Sequence, residues 1–191
     1  MKQVKGDQGY IEAEKKARTL RTAGMFGIIL LLLIIGYIVT GTRLNWFTFA
    51  AIMLCLPGAK MLVGVITIFP HHSLAVEKAE QLKKCSGNLM MVYETIMTSQ
   101  EKIMPVDAFA ISDNTICGYS GNTKLDIAYA ADYVKTTLRN NRYTKVSVKL
   151  FDDFDAFVKR TAEMNELAEN GRPDCRDKED GIKKVLLAIS L

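Results

Sequence analysis

The stretch best suited to hold an anion is Gly118-Tyr119-Ser120-Gly121-Asn122-Thr123-Lys124, a glycine-bearing turn that runs toward a helix start. Amide N–H groups at such a turn and the positive end of a helix dipole together attract phosphate or carboxylate. The G-x-x-x-x-G-K-[ST] spacing of a P-loop is absent. Two readings therefore stand: a plain strand-to-helix turn, and an anionic-ligand site on Gly118, Ser120, Gly121, Asn122 and Thr123. The second residue of chemical consequence is Lys60, a lone charge inside a long apolar run just after Pro57-Gly58. A charge in such a setting faces a partner or a wet cavity, snorkels along its own stem, or sits at a hydrated kink. Neither apolar run holds an acidic residue to neutralise it, so a partner would be a backbone carbonyl, a lipid phosphate or another chain. His71 and His72 are the only histidines; adjacent residues on a helix point different ways, and no further ligand stands beside them. Cys55, Cys85, Cys117 and Cys175 have no C-x-x-C or zinc spacing and read as reduced thiols. No nucleophile elbow, His-Asp pair or Cys-His pair can be assembled. The chain is expected to be no enzyme and to take no cofactor or metal.

The elements that position these residues begin with two apolar runs, Met25 to Thr40 and Phe47 to Phe69, separated by Gly41-Thr42-Arg43-Leu44-Asn45. Runs of this length match a hydrocarbon thickness of about 30 Å at about 1.5 Å rise per residue. They predict a membrane α-helical hairpin of two transmembrane helices, at about 24–41 and 46–70. A cleaved signal peptide is the competing reading, but no small-x-small site follows the first run and a second run comes at once. Lys2, Lys5, Lys15, Lys16, Arg18 and Arg21 precede the first helix, while the loop offers Arg43 alone, so both termini are expected to be cytoplasmic at an inner membrane. Trp46, with Tyr37 as a second candidate, would anchor the hairpin at the interface. Lys15, Lys16, Arg18 and Arg21 form an orientation signal that could also meet anionic lipid. Ala51, Cys55 and Ala59 recur every four residues as a small-residue stripe, suited to close helix packing within the hairpin or between copies, with Gly27 and Gly36 as counterparts.

With 49% apolar residues in 191, the chain can build this hairpin and one further core. The net charge of +4 is concentrated before the first helix, which points to lipid and not to nucleic acid. Residues 1–23 then form a basic N-terminal segment, 24–70 the hairpin, 71–101 a connecting helix, 102–170 a cytoplasmic α/β domain, and 171–191 a polar linker with a short amphipathic helix. In the connecting segment Leu74, Leu82, Leu89, Val92, Tyr93, Ile96 and Met97 recur at helical spacing, with a break at Ser86-Gly87-Asn88. After Pro105 the period is two: Val106, Ala108 and Ala110 alternate with Asp107, Phe109 and Ile111. A turn at Ser112-Asp113-Asn114-Thr115 makes this a hairpin with Ile116-Cys117-Gly118-Tyr119. Thr123-Lys124-Leu125-Asp126 has the form of a capping box and opens a helix with Ile127, Ala131, Val134 and Leu138 on one face. Lys145 to Phe151 alternates as a third strand. Asp152 or Asp153 caps a helix that ends at Asn170-Gly171-Arg172-Pro173, and Asp174 to Asp180 reads as linker. Ile182, Val185, Leu186 and Ile189 form a last helix, expected to dock on the domain. The sum is a small α/β domain with a sheet of about three strands, a size that gains from a partner or a second copy.

This order of helix, Asp-bearing hairpin, helix and strand, over about Leu89 to Phe151, resembles the nuclease-related, restriction-endonuclease-like core. The resemblance implies an aspartate opening the hairpin, here Asp107, and a Glu-x-Lys pair ending its second strand, the two carboxylates holding a divalent metal. This chain has Tyr119-Ser120-Gly121-Asn122 in place of Glu-x-Lys, and one carboxylate does not hold catalytic Mg²⁺. What is implied is a degenerate fold without activity. The chain is also similar to two-pass bacterial membrane proteins, a likeness that carries no function with it. The reading is a non-enzymatic membrane protein that presents an α/β module to a protein partner or to itself; the alternative is a sensor with its ligand at the 118–124 turn.

Overall fold

The computed structural model describes residues 5–42, 45–99, 102–169 and 175–190. They divide into two compact units, Ile11–His72 and a second unit made of Ser73 onward together with the residues up to Tyr10.

The first unit is a pair of helices, α1 (Tyr10–Thr40) and α2 (Trp46–Ile68), each long and apolar enough to cross a membrane. The first helix begins well before Gly24, the start expected from the apolar run. Its 31 residues carry the basic cluster on the helix itself, where Arg18 pairs with Glu14 at 2.8 Å and Lys15 lies 5.8 Å from the centre of the Phe69 ring. Helix geometry does not stop where hydrophobicity stops, and an i, i+4 ion pair supports the charged turns. The helix α1 ends at Gly41, whose φ of +62° suits the left-handed position after a helix. Asn45 caps α2 by accepting the Thr48 N–H at 2.9 Å. No break occurs at Pro57-Gly58, since α2 runs through it. The small-residue stripe divides: Ala51 is buried, while Cys55 and Ala59 are exposed. Gly58 fills the packing role instead, facing Ile29 and Phe26, and Gly36 faces Phe47 and Asn45. A repeat of four drifts around a helix, whereas Ala51 and Gly58, seven apart, stay on one face. Arg43 and Leu44 lie outside the described residues.

The second unit is a three-layer α/β domain. Its sheet holds four strands in the order β1 (Met90–Thr98), β2 (Ile103–Ser112), β3 (Thr115–Tyr119) and β4 (Ser147–Phe151). The first three form an antiparallel meander, and β4 lies parallel to β3 after the crossover helix α4 (Ile127–Asn140). The fourth strand corrects the expected count of about three. The connecting helix α3 stops at Ser86 (Val76–Ser86), and Met90–Thr98 is strand. Both faces of β1 are covered, so apolar side chains occupy nearly every position and satisfy a helical template by accident. The β-branched and aromatic run Val92-Tyr93-Glu94-Thr95-Ile96, after Gly87, belongs to a strand. Gln100 lies outside the described residues.

One face of the sheet packs α3 and α5 (Phe154–Glu169), through Ala79, Leu82, Phe157 and Met164 against Ala108, Ala110, Cys117 and Tyr119. The other packs α4 and α6 (Arg176–Ala188), through Val134, Leu138, Ile182 and Leu186 against Val92, Val106, Phe109 and Ile116. Side chains such as Leu82 and Phe109, at 0% exposure, each stabilise the fold by about 1.5–3 kcal/mol through burial. The helix α6 docks as expected but starts at Arg176, inside the supposed linker. Glu179 there is buried and accepts the Asp113 N–H at 2.8 Å, and Lys178 pairs with Asp113 at 2.9 Å, so this polar turn fastens to the β2–β3 turn. The segment Asn170-Gly171-Arg172-Pro173 lies outside the described residues. The helix α4 is capped by Asp126 through the Tyr129 N–H, not by Thr123, because Asn122 first takes the N–H groups of Lys124 and Leu125 in a turn of its own.

Candidate functional site

On the seam between the edge strand β1 and its neighbour β2, two carboxylates come opposite each other. The β1–β2 register pairs Tyr93 with Ala108 and Thr95 with Val106, which sets Glu94 opposite Asp107. Glu94 has a φ of +54°, a left-handed conformation that is costly for a non-glycine residue in a strand. The pleat changes face there. Val92 and Met97, five apart, lie on the same side of the sheet, as do Val106 and Phe109 on β2. The expected grouping of Val106 with Ala108 and Ala110 therefore fails at Asp107, where the alternation restarts.

Asp107 is half-buried, and its Oδ2 accepts the Gly121 N–H at 2.7 Å. Burial pushes its carboxyl up from the usual aspartate range; the Gly121 amide and the Lys78 charge pull it back, and Glu94 adds to the rise. Lys78, on α3, donates to the Tyr119 hydroxyl at 3.1 Å and lies 4.9 Å and 5.3 Å from the centres of the Phe154 and Tyr119 rings. Two aromatic faces and a phenol oxygen thus hold one ammonium. Glu94 is 4% exposed and accepts the Gly9 N–H at 2.6 Å and the Ser73 hydroxyl at 3.0 Å. Among the described residues no group of three or more His, Cys, Asp or Glu side chains is gathered for a metal ion.

The 118–124 turn borders Asp107. Gly118 lies within β3, buried under Phe109 and Leu150. The Ser120 N–H donates to Phe151 O at 3.0 Å, its hydroxyl to Pro105 O at 2.8 Å, and the Asn122 N–H to the Ser120 hydroxyl at 3.3 Å. The anion that the turn receives is the chain's own Asp107. Gly121, Asn122 and Thr123 are exposed, and the helix start lies further on at Ile127. A groove of about 220 Å³ is lined by Lys102, Lys124, Asp126 and Tyr129.

Lys60 is exposed on α2, and Lys16 and Arg21 are exposed on α1. His71 follows α2; burial holds its imidazole below the usual range, and the Lys15 and His72 charges act the same way. Cys117 is buried, which pushes its thiol up, against a hydrogen bond with Arg160. Sequence reasoning singled out Asp107 and missed Glu94 and Lys78. The available signal was Glu94 itself, the one charge within an otherwise apolar run, once that run is taken as a strand.

The fold and site define an α/β domain with a four-stranded mixed sheet and a carboxylate pair on its β1–β2 seam, in a chain with two long apolar helices. Set against protein-family models, curated proteins and solved structures, the chain matches none of them.

Proposed function

We propose that this chain is a two-pass membrane-anchored protein whose α/β domain works by binding a protein partner or a second copy, and not by turning over a substrate. The observation that carries the reading is that the turn best suited to a ligand already holds Asp107, while Lys78 is taken up by Tyr119 and Phe154. The site's polar groups answer one another. The apolar helices supply the anchor: Leu30, Leu31, Ile38, Ile52, Leu56 and Val63 are more than half exposed, a surface that lipid would cover. The basic residues before the first apolar run support an inner-membrane orientation with both termini in the cytoplasm, and exposed Lys16 and Arg21 suit anionic headgroups. The test is the native mass of the full-length protein, extracted gently from its own membrane, with identification of what accompanies it. An assembly larger than one chain is expected; a lone protomer over the working concentration range would overturn the binding reading.

A second reading rests on the nuclease-related resemblance. That resemblance implies helix, Asp-bearing hairpin, helix and strand; here Asp107 lies on β2 of a three-stranded meander, with α4 and β4 following. A second carboxylate, Glu94, stands opposite on β1 and not on β3, so the reading is shared ancestry without activity. Metal-dependent DNA cleavage that disappears in Asp107→Ala would revive the enzyme.

A further inference from the structure

One carboxylate in this domain meets the chain on both sides of the helix pair. Gly9, which donates its N–H to Glu94 Oε1 at 2.6 Å, immediately precedes α1. Ser73, whose hydroxyl donates to Glu94 Oε2 at 3.0 Å, follows shortly after α2 ends at Ile68. The segment before α1 is fastened further: the Tyr93 N–H donates to Gly6 O at 2.8 Å, and Lys5 Nζ donates to Ser190 O. Both tethers thus belong to the α/β unit by contact and lead into the helices by covalent continuity.

We propose that Glu94 is a latch that ties the two chain segments flanking the helix pair in sequence, at Gly9 and Ser73, to the sheet and couples them to the Asp107–Gly121 side of the same domain. The backbone supports this assignment. A buried glutamate held at φ +54° in mid-strand is a strained position that its surroundings must maintain, and the two tether hydrogen bonds are what the carboxylate receives in return. The coupling route is short. Glu94 lies opposite Asp107, the pleat of both strands restarts at this pair, and Asp107 holds the Gly121 amide. A pull on either tether loosens Glu94, frees the strained segment to relax, and changes the charge that Asp107 faces. The other candidates carry less: the groove at Lys102 and Lys124 borders residues outside those described, and the exposed Cys55 and Ala59 have no second observation beside them.

The latch reading does not depend on the binding function proposed above, and its test needs no partner. Amide hydrogen exchange is measured on the full-length protein in lipid nanodiscs, for the wild type, Glu94→Gly and Ser73→Ala. Glycine adopts φ +54° without penalty, so Glu94→Gly removes the carboxylate while relieving the backbone and leaves the fold intact. Exchange is expected to rise about tenfold at Gly9 and Tyr93 and also at Gly121, with a smaller rise in the same places for Ser73→Ala. A rise confined to Gly9 and Tyr93, with Gly121 unchanged in both variants, would overturn the coupling. No rise at Gly9 and Tyr93 in Glu94→Gly would overturn the latch itself.

Discussion

Asp107 is caught between burial, which disfavours its charge, and the Gly121 amide and Lys78, which favour it; burial prevails, with Glu94 acting on the same side. Its pKa in the folded chain is therefore higher than in the unfolded chain. Over the interval from the ordinary value of 3.8 up to the raised value, the folded state binds more protons, so stability falls as pH rises through it. The contribution is complete below 3.8 and lost above the folded pKa. Asp107→Asn keeps an oxygen for the Gly121 N–H and has no charge to bury. The variant is expected to match the wild type at pH 4, to be equally or more stable at pH 7, and to show a flatter profile between. Thermal unfolding of the full-length protein across that range checks it. A variant that loses stability at pH 7 would mean that the attraction of the Lys78 charge and the Gly121 amide for the Asp107 carboxylate outweighs burial.

At the scale of elements, the crossover helix, the β2–β3 hairpin, β4 and α5 were legible because each has a single period and a punctuating turn. Lys145 to Phe151 alternates, and Val146, Val148 and Leu150 do share the face toward α4. The strand β1 was not legible, because burial on both faces erases the alternation that marks a strand. Part of the site went with it: Asp107 stood out on a recognised hairpin, whereas Glu94 was lost in a supposed helix. Gly118 is a different case, since its glycine suggested a ligand turn and the structure packs it tightly within β3. A Cβ at Gly118 would meet Phe109 at 2.8 Å and would press still closer on Leu150. Gly118→Ala is therefore expected to overpack the interior and cost about 1–3 kcal/mol, seen as a lower midpoint in denaturant for the α/β unit, with binding lost only as folding is lost. Gly121→Ala, where the nearest atoms are the Tyr119 hydroxyl at 3.1 Å and Asp107 Oδ2 at 3.3 Å, is expected to cost less. If Gly118→Ala were as stable as the wild type, the close approach of β3 to Phe109 would not be a constraint on the fold.

For the whole molecule, the chain's own thiols offer a test of the proposed membrane hairpin, because they lie in different environments. Cys85, at the end of α3, and Cys175, at the cap of α6, are partly exposed in the α/β unit; Cys117 is buried in that unit; Cys55 is exposed on α2, on the surface assigned to lipid. A maleimide that cannot cross membranes reacts with thiolate in water, so exposure, side of the membrane and ionisation all enter the result. In sealed vesicles of known orientation, Cys85 and Cys175 are expected to react from the cytoplasmic side alone, and a cysteine placed by Thr42→Cys in the short loop from the opposite side alone. Cys117 should stay unreacted in the folded domain, both because it is 1% exposed and because burial raises its thiol pKa. Cys55 should stay unreacted in lipid and become reactive when detergent replaces the bilayer with water-accessible micelle. Labelling of Cys85 and Thr42→Cys from one side would remove the hairpin reading, since α1 and α2 would then not cross. Labelling of Cys55 in intact vesicles would instead keep the crossing and place a wet path along α2, and Lys60, a little over one turn further along the helix, would become the first residue to replace.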